Sequence, residues 1–445
     1  MKRILVIILI VCIIFLVGCN AVTTVHPVQE IDQGVVTLPP KTTDDAPSEQ
    51  LVEEPLSFKS NLFLGSGNEF GYYSIIAYYS YYNIMYIDYE TKEKSVLCND
   101  TQCTHNSKDC IGYIDEKYGA PSILALEDKI VFIYPGNLYL NEQNTDKDTF
   151  LARIEVADLD GSNRKKILAL SDGELINTNT VVYDECGFIY LLIETYGSIE
   201  NATLLKVDFC QIDLSTGEVI SVKEFDVSSS KKVFLLGSMD NQFVFKYIYD
   251  GEWDESLIGR EQWDRYIDTQ LHEIFTISRS GETSPNSFSY PQGVYTSFVE
   301  DNTVMLVHIE EKAIYYYNSI DNKVIQSGNI LPIEGELLYI HPVILIDRWL
   351  VFDYIRDGNN RYDERCAINI DSGETKQINL TASIFDAYNH YIIYDTVGEK
   401  ILVCISTHLE DIFTDDTKSS RQVIDWALIN YSDYLMNTRN FEMIS

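Results

Sequence analysis

The chain has 445 residues and a formal charge of −35, from 33 Lys and Arg against 68 Asp and Glu. That balance repels phosphate backbones and excludes nucleic acid as a partner. Hydrophobic residues are 45% of the chain, enough for a large core, and 31 Tyr with 19 Phe favour half-buried pleated surfaces over helices.

Residues 1–20 read MKRILVIILIVCIIFLVGCN. Lys2 and Arg3 form a positive n-region and Ile4 to Val17 an unbroken apolar run, the pattern of an export signal. The run is short for a membrane span of ~20 residues and no basic flank follows it. It ends in Leu16-Val17-Gly18-Cys19, which resembles a bacterial lipobox. The resemblance implies a signal peptide over 1–18, cleavage before Cys19 and diacylation of the Cys19 thiol. Two acyl chains suffice for stable anchoring, here at the outer face of the cell membrane. The tether, residues 19–55, has no helical or strand period; Pro39, Pro40, Pro47 and Pro55 keep it extended.

From about Phe58 one unit recurs: an apolar-aromatic strand, a variable loop, a second strand, a tight turn and a third strand. The turns read Asp158-Leu-Asp-Gly161, Asp213 to Gly217, Ser278 to Gly281, Asn318 to Asn322 and Asn369 to Gly373, with weaker members at Asp88 and Asn430. Gly supplies positive φ there, while Asp, Asn and Ser bond their own backbone. Unit spacings of 40 to 70 residues predict an all-β propeller over 56–445, with about seven blades (six or eight if the chain ends share a closing blade). Helical periods are brief, at 256–267 and 419–429.

After the first unit comes Leu97-Cys98-x4-Cys103-x-His105-x4-Cys110. Three thiols and an imidazole make a complete tetrahedral set for zinc, and closed sets of this kind are structural. A disulfide, Cys98–Cys103 or Cys103–Cys110, competes in an oxidising compartment; a thiol activated by His105 is a third reading. This segment, with Tyr86-Ile87-Asp88 ahead of it, resembles one in clostridial-type lipoproteins of Gram-positive anaerobes. There it closes the first blade of a TolB-like or WD-like propeller. The resemblance implies fold and anchoring, and carries no activity. Cys210, Cys366 and Cys404 read as strand residues, and Cys186 is within range of pairing with Cys210.

No hydrolase, metalloprotease or nucleotide-binding motif occurs along the chain. Loop 250–270 carries Trp253, Arg260, Trp263, Arg265 and Tyr266, residue types that anchor interfaces. Loop 357–364 clusters oxygen donors without an EF-hand pattern, and loop 410–420 is acidic. These features are read as a non-enzymatic lipoprotein that binds or senses a protein or small-molecule ligand at the cell envelope. The alternatives are a propeller hydrolase or lyase acting on envelope glycan or peptide, and a structural subunit of an envelope assembly.

Overall fold

The computed structural model describes residues 55–445 except 79, 139–149, 198–202, 228–230, 293–294, 301–302, 319–322, 336, 357–363, 385–386 and 415–416. The export signal, Cys19 and nearly all of the tether therefore lie outside the described residues, as does almost all of loop 357–364. No helix among the described residues is long and apolar enough to cross a membrane.

Seven sheets follow one another along the chain, all antiparallel except for one parallel strand pair in the last. After β1 (Ser57–Ser60), blade 1 holds β2 (Ser66–Gly67), β3 (Gly71–Ala77), β4 (Tyr81–Asp88), β5 (Lys94–Val96) and β6 (Tyr113–Asp115). Blade 2 holds β7 (Ser122–Ala125), β8 (Ile130–Tyr134), β9 (Arg153–Ala157) and β10 (Lys165–Ala169). Blade 3 runs through β11 (Glu174–Tyr183), β12 (Phe188–Tyr196), β13 (Leu204–Asp213) and β14 (Val219–Phe225). In blade 4, β15 (Lys231–Met239) and β16 (Gln242–Tyr249) precede a helix, α1 (Arg260–Asp268), then β17 (Leu271–Ile277) and β18 (Thr283–Pro291). Blade 5 comprises β19 (Tyr295–Glu300), β20 (Thr303–His308), β21 (Ala313–Asn318) and β22 (Lys323–Ile330). Blade 6 comprises β23 (Leu337–Ile346), β24 (Trp349–Arg356), β25 (Glu364–Asn369) and β26 (Thr375–Ile378). Blade 7 closes the series with β27 (Thr381–Ile384), β28 (Ala387–His390), β29 (Ile392–Val397), β30 (Lys400–Thr414), β31 (Thr417–Asn430), α2 (Tyr431–Leu435) and β32 (Glu442–Met443).

The apolar core decides the blade number. It divides into seven clusters, each lying between two consecutive sheets. The cluster of Tyr72, Ile87, Tyr89, Leu402, Trp426 and Leu428 joins blade 7 back to blade 1. A sheet buried on both faces can form a closed ring only if its strands are apolar on both sides, which the runs Ile130–Tyr134 and Phe188–Ile193 supply. Among the described residues no blade is shared between the chain ends. Instead Ser445 bonds the blade 1 turn, from its N to the Lys92 carbonyl (3.0 Å) and to its O from the Lys94 N (2.8 Å).

Gly161, Gly217, Gly281 and Gly373 take positive φ in the turns read from sequence. Asn430 does not mark such a turn; it caps α2, and the strand return is made by β32. The helix expected at 256–267 forms as α1, shifted to Arg260–Asp268. Segment 419–429 is strand: β31 pairs with β30 from Lys400↔Asn430 to Thr414↔Thr417, and that ladder overrides the local pattern. The described part of the acidic 410–420 stretch therefore lies on the two arms of a long hairpin.

Strand β1 is an addition. It pairs with β11 on the side away from β12, inside the ring. Leu56 bonds Asn241 and Ser238 of blade 4, and Lys59 reaches Asp395 of blade 7 at 3.5 Å. The segment after the tether thus lines the propeller axis and ties opposite blades together.

Candidate metal centre and the loop-bearing end

In blade 1 the outer strand is split. β5 pairs with Met85–Ile87 of β4, and β6 pairs with Tyr81–Asn83 of the same strand. The Cys/His segment is an insertion between these two three-residue pieces. Leu97 N donates to the Ile84 carbonyl, and Ile84 N donates to the Gly112 carbonyl, both at 2.8 Å, so both ends of the insertion are pinned to one residue. Inside it, tight turns place Cys103 N on Asp100 O (3.1 Å) and Cys110 N on Ser107 O (3.0 Å).

These turns bring Cys98, Cys103, His105 and Cys110 together, with one ligand atom from each lying within 4.8 Å of all the others. His105 Nδ1 is 3.4 Å from Cys110 Sγ, and His105 N donates to Cys103 Sγ at 3.3 Å. A tetrahedral zinc with bonds of ~2.0–2.3 Å needs ligand edges of about 3.5–3.8 Å, so a contraction below ~1.3 Å closes the set. His105 adopts φ +58°, the left-handed region that few non-glycine residues occupy. Cys98, Cys103 and Cys110 are free thiols in this structure, so neither disulfide is formed. Burial, then the Cys103 hydrogen bond, pushes the Cys110 thiol up to about 12. An activated thiol needs the opposite direction. Cys186 is exposed and Cys210 buried, both free.

Strands alternate in direction within each blade. Second-to-third strand connections therefore emerge at the same end as links to the next blade, and this end carries loop 250–270, whereas the Cys/His insertion leaves the middle of the blade 1 outer edge. Loop 250–270 folds on itself. Trp253, Trp263 and Tyr266 pack edge to face with centroids 5.1 to 5.9 Å apart. Arg265 bonds Glu252 at 2.5 Å, Tyr266 bonds Asp250 at 2.6 Å and Arg260 lies 3.5 Å from Asp264. Trp253 and Trp263 stay about half exposed, 48% and 51%, and no residue of α1 is buried.

A second group at this end is invisible to motif reading. Lys246 on β16, His272 on β17 and Tyr290 on β18 share the blade 4 face toward blade 5, His272 lying opposite Tyr290 in register. Ser297 of β19 faces the Tyr290 hydroxyl, yet Ser297 Oγ, Tyr290 Oη and His272 Nε2 lack well-formed hydrogen bonds. Burial pulls the Lys246 ammonium down to about 8. Burial and the Lys246 charge pull the His272 imidazole to about 4. Four residues scattered over 52 positions give no sequence signal, except that Lys246 interrupts an otherwise apolar strand.

The class of protein is a seven-bladed β-propeller with an inserted Cys3His group. No protein-family model matches the chain, and no curated sequence is similar to it. The fold is similar to that of a puromycin hydrolase, with TM-score 0.50 and 9% identity over 86% of this chain and 53% of that one. The chain thus spans about half the length of that hydrolase. It is also similar to the β-propeller domain of the Trilobed protease from Pyrococcus furiosus (TM-score 0.43, 13% identity, 88% and 95% covered) and to TolB from Acinetobacter baumannii (0.34, 11%, 83% and 78%). The likeness to a hydrolase overturns the expectation of a non-enzymatic protein. A propeller of this fold occurs in an enzyme, so the absence of a linear catalytic motif excludes nothing.

Proposed function

We propose that the chain is an extracytoplasmic propeller, lipid-anchored at Cys19, that acts on a glycan or peptide of the cell envelope as a hydrolase or lyase. The observation that supports this most is the group of Lys246, whose ammonium is destabilised by burial, with His272, Tyr290 and Ser297, whose polar atoms are left unsatisfied between two blades at the loop-bearing end. The fold shared with a hydrolase is consistent with it. A neutral amine with a pKa near 8 suits proton abstraction, and the Tyr290 hydroxyl two strands away is a proton donor for a leaving group. Capture or sensing of an envelope ligand is the second reading, favoured by the half-exposed Trp253, Trp263 and Tyr266 cluster. The Cys98, Cys103, His105 and Cys110 set holds a structural zinc in this reading.

The test is incubation of the full-length protein with muropeptides and wall polysaccharide, read as new reducing ends, new amino termini or unsaturated sugars. Activity should rise with pH through about 8 as Lys246 loses its proton, and Lys246→Met should abolish it. The same substitution should stabilise the protein. The folded state lowers the Lys246 pKa from 10.5 to about 8, so below pH 8 it bears a penalty on the order of 3 kcal/mol, which fades as pH rises to 10.5. A Lys246→Met protein that melts higher at pH 7 but keeps full turnover would remove this group from the mechanism. No product from any fraction, with a folded protein, would remove the enzymatic reading.

The anchor is tested separately. Cys19→Ala expressed in a Gram-positive host should take up no labelled fatty acid and leave the membrane-bound processed form. Unchanged labelling would refute lipidation at Cys19.

A further inference from the structure

Beside the Cys/His insertion, a cleft of about 400 Å³ opens between blades 1 and 2. The insertion contributes Lys108, and Tyr113 and Tyr118 follow directly after it. Blade 2 contributes Tyr134, Arg153, Glu155, Arg164 and Lys166. Four cations meet two carboxylates here, in a chain with twice as many acids as bases.

The floor is built with care. The Arg153 guanidinium lies between two aromatic rings, 3.6 Å from the Tyr134 centroid and 4.4 Å from that of Tyr118. Glu155 receives Arg153 Nε on one oxygen and Arg164 Nε on the other, both at 2.8 Å, while Arg164 Nη2 donates to the Tyr134 hydroxyl at 2.6 Å. Burial opposes the Glu155 charge, yet Arg164 and Arg153 hold its carboxyl below the usual range. One carboxylate thus serves two guanidiniums, and a positive charge is left over. Arg153 is 5% exposed, and its Nη1 has no hydrogen-bond partner. Lys108 is balanced by Asp115 at 3.3 Å; Lys166 has no acidic partner among the described residues. A buried arginine with an unused donor is costly unless something accepts from it.

We propose that this cleft binds an organic carboxylate of monosaccharide or dipeptide size. Its carboxylate accepts from Arg153 Nη1 and is neutralised by Lys166, and its body rests on Tyr113 and Tyr118. The site is independent of the Lys246 group, which lies in the blade 4–5 interface, so either can fail without the other.

The experiment is titration calorimetry of the full-length protein with sodium D-glucuronate and acetyl-Ala-Ala, and with D-glucose and inorganic phosphate as controls. At least one carboxylate should bind and glucose should not. Which carboxylate binds tells an acidic sugar from a peptide C-terminus. Arg153→Lys keeps the charge but lacks Nη1, and Lys166→Met changes an exposed position that leaves the fold unburdened. Each should weaken binding about tenfold or more. Glu155→Gln, which frees both arginines, should tighten it. Binding by neither carboxylate, equal binding of phosphate, or affinity unchanged in both Arg153→Lys and Lys166→Met would overturn the proposal.

Discussion

Stripping the proposed zinc from Cys98, Cys103, His105 and Cys110 should release the whole 97–112 segment while leaving the other six blades intact. The insertion has little else to hold it. Its flanking strands are three residues each, and its ties to the propeller are few: backbone bonds at Leu97, Cys110 and Gly112, the Lys108–Asp115 ion pair at 3.3 Å and the Asn99–Asp160 contact at 3.4 Å. Structural zinc contributes on the order of 10 kcal/mol to a ligand set that cannot fold without it. That energy should appear locally, because Leu97 at its first position is the only residue of the segment in an apolar core cluster among the described residues. Hydrogen exchange of 97–112 should rise sharply on chelation under reducing conditions, with amides of blades 3 to 6 unmoved. Cys110→Ser should reproduce the effect without chelator, and one zinc per chain should be lost with it. A protein that purifies without zinc, and whose 97–112 amides ignore chelation, would leave the four residues as a thiol cluster only.

Replacing Arg365 should lower global stability by about 3–5 kcal/mol. Arg365 is 5% exposed on β25 and faces Asp353 across β24, with Nε to Oδ1 at 2.6 Å and Nη2 to Oδ2 at 2.8 Å. Its remaining Nη1 crosses into blade 7, to the Tyr391 carbonyl at 2.6 Å and the Tyr434 hydroxyl at 3.2 Å. Arg365→Met therefore strands a carboxylate, a carbonyl and a hydroxyl at a blade interface. Urea unfolding measures the loss. Adding Asp353→Leu should recover part of it, because removing both charges leaves no buried ion unpaired. A loss below ~1 kcal/mol, or no recovery in the double variant, would show that the pair is solvated.

How much was legible follows from where the information sits. The turn glycines and Asx residues act through their own φ and their own backbone, so Gly161, Gly217, Gly281 and Gly373 appear in sequence as they do in space. Cys98 to Cys110 lie within thirteen residues, and local turns suffice to gather them. Strand β31 was less legible: its Trp, Ala, Leu and Ile pattern suits a helix, and only the fourteen-pair ladder with β30 makes it a strand.

The sequence alone determined the all-β repeat, the Cys3His set and the exposed aromatic loop, because each is encoded within one contiguous stretch. Tertiary structure decided the rest. Seven interfaces fixed the blade number, since the count depends on which apolar faces meet. The ring placed β1 on the axis, where Lys59 meets a residue more than three hundred positions away. It also gathered Arg153, Arg164 and Lys108 from two blades, and Lys246, His272, Tyr290 and Ser297 from four strands. Charges and hydroxyls so far apart in the chain acquire a shared chemistry only when packing puts them against one another and withholds water.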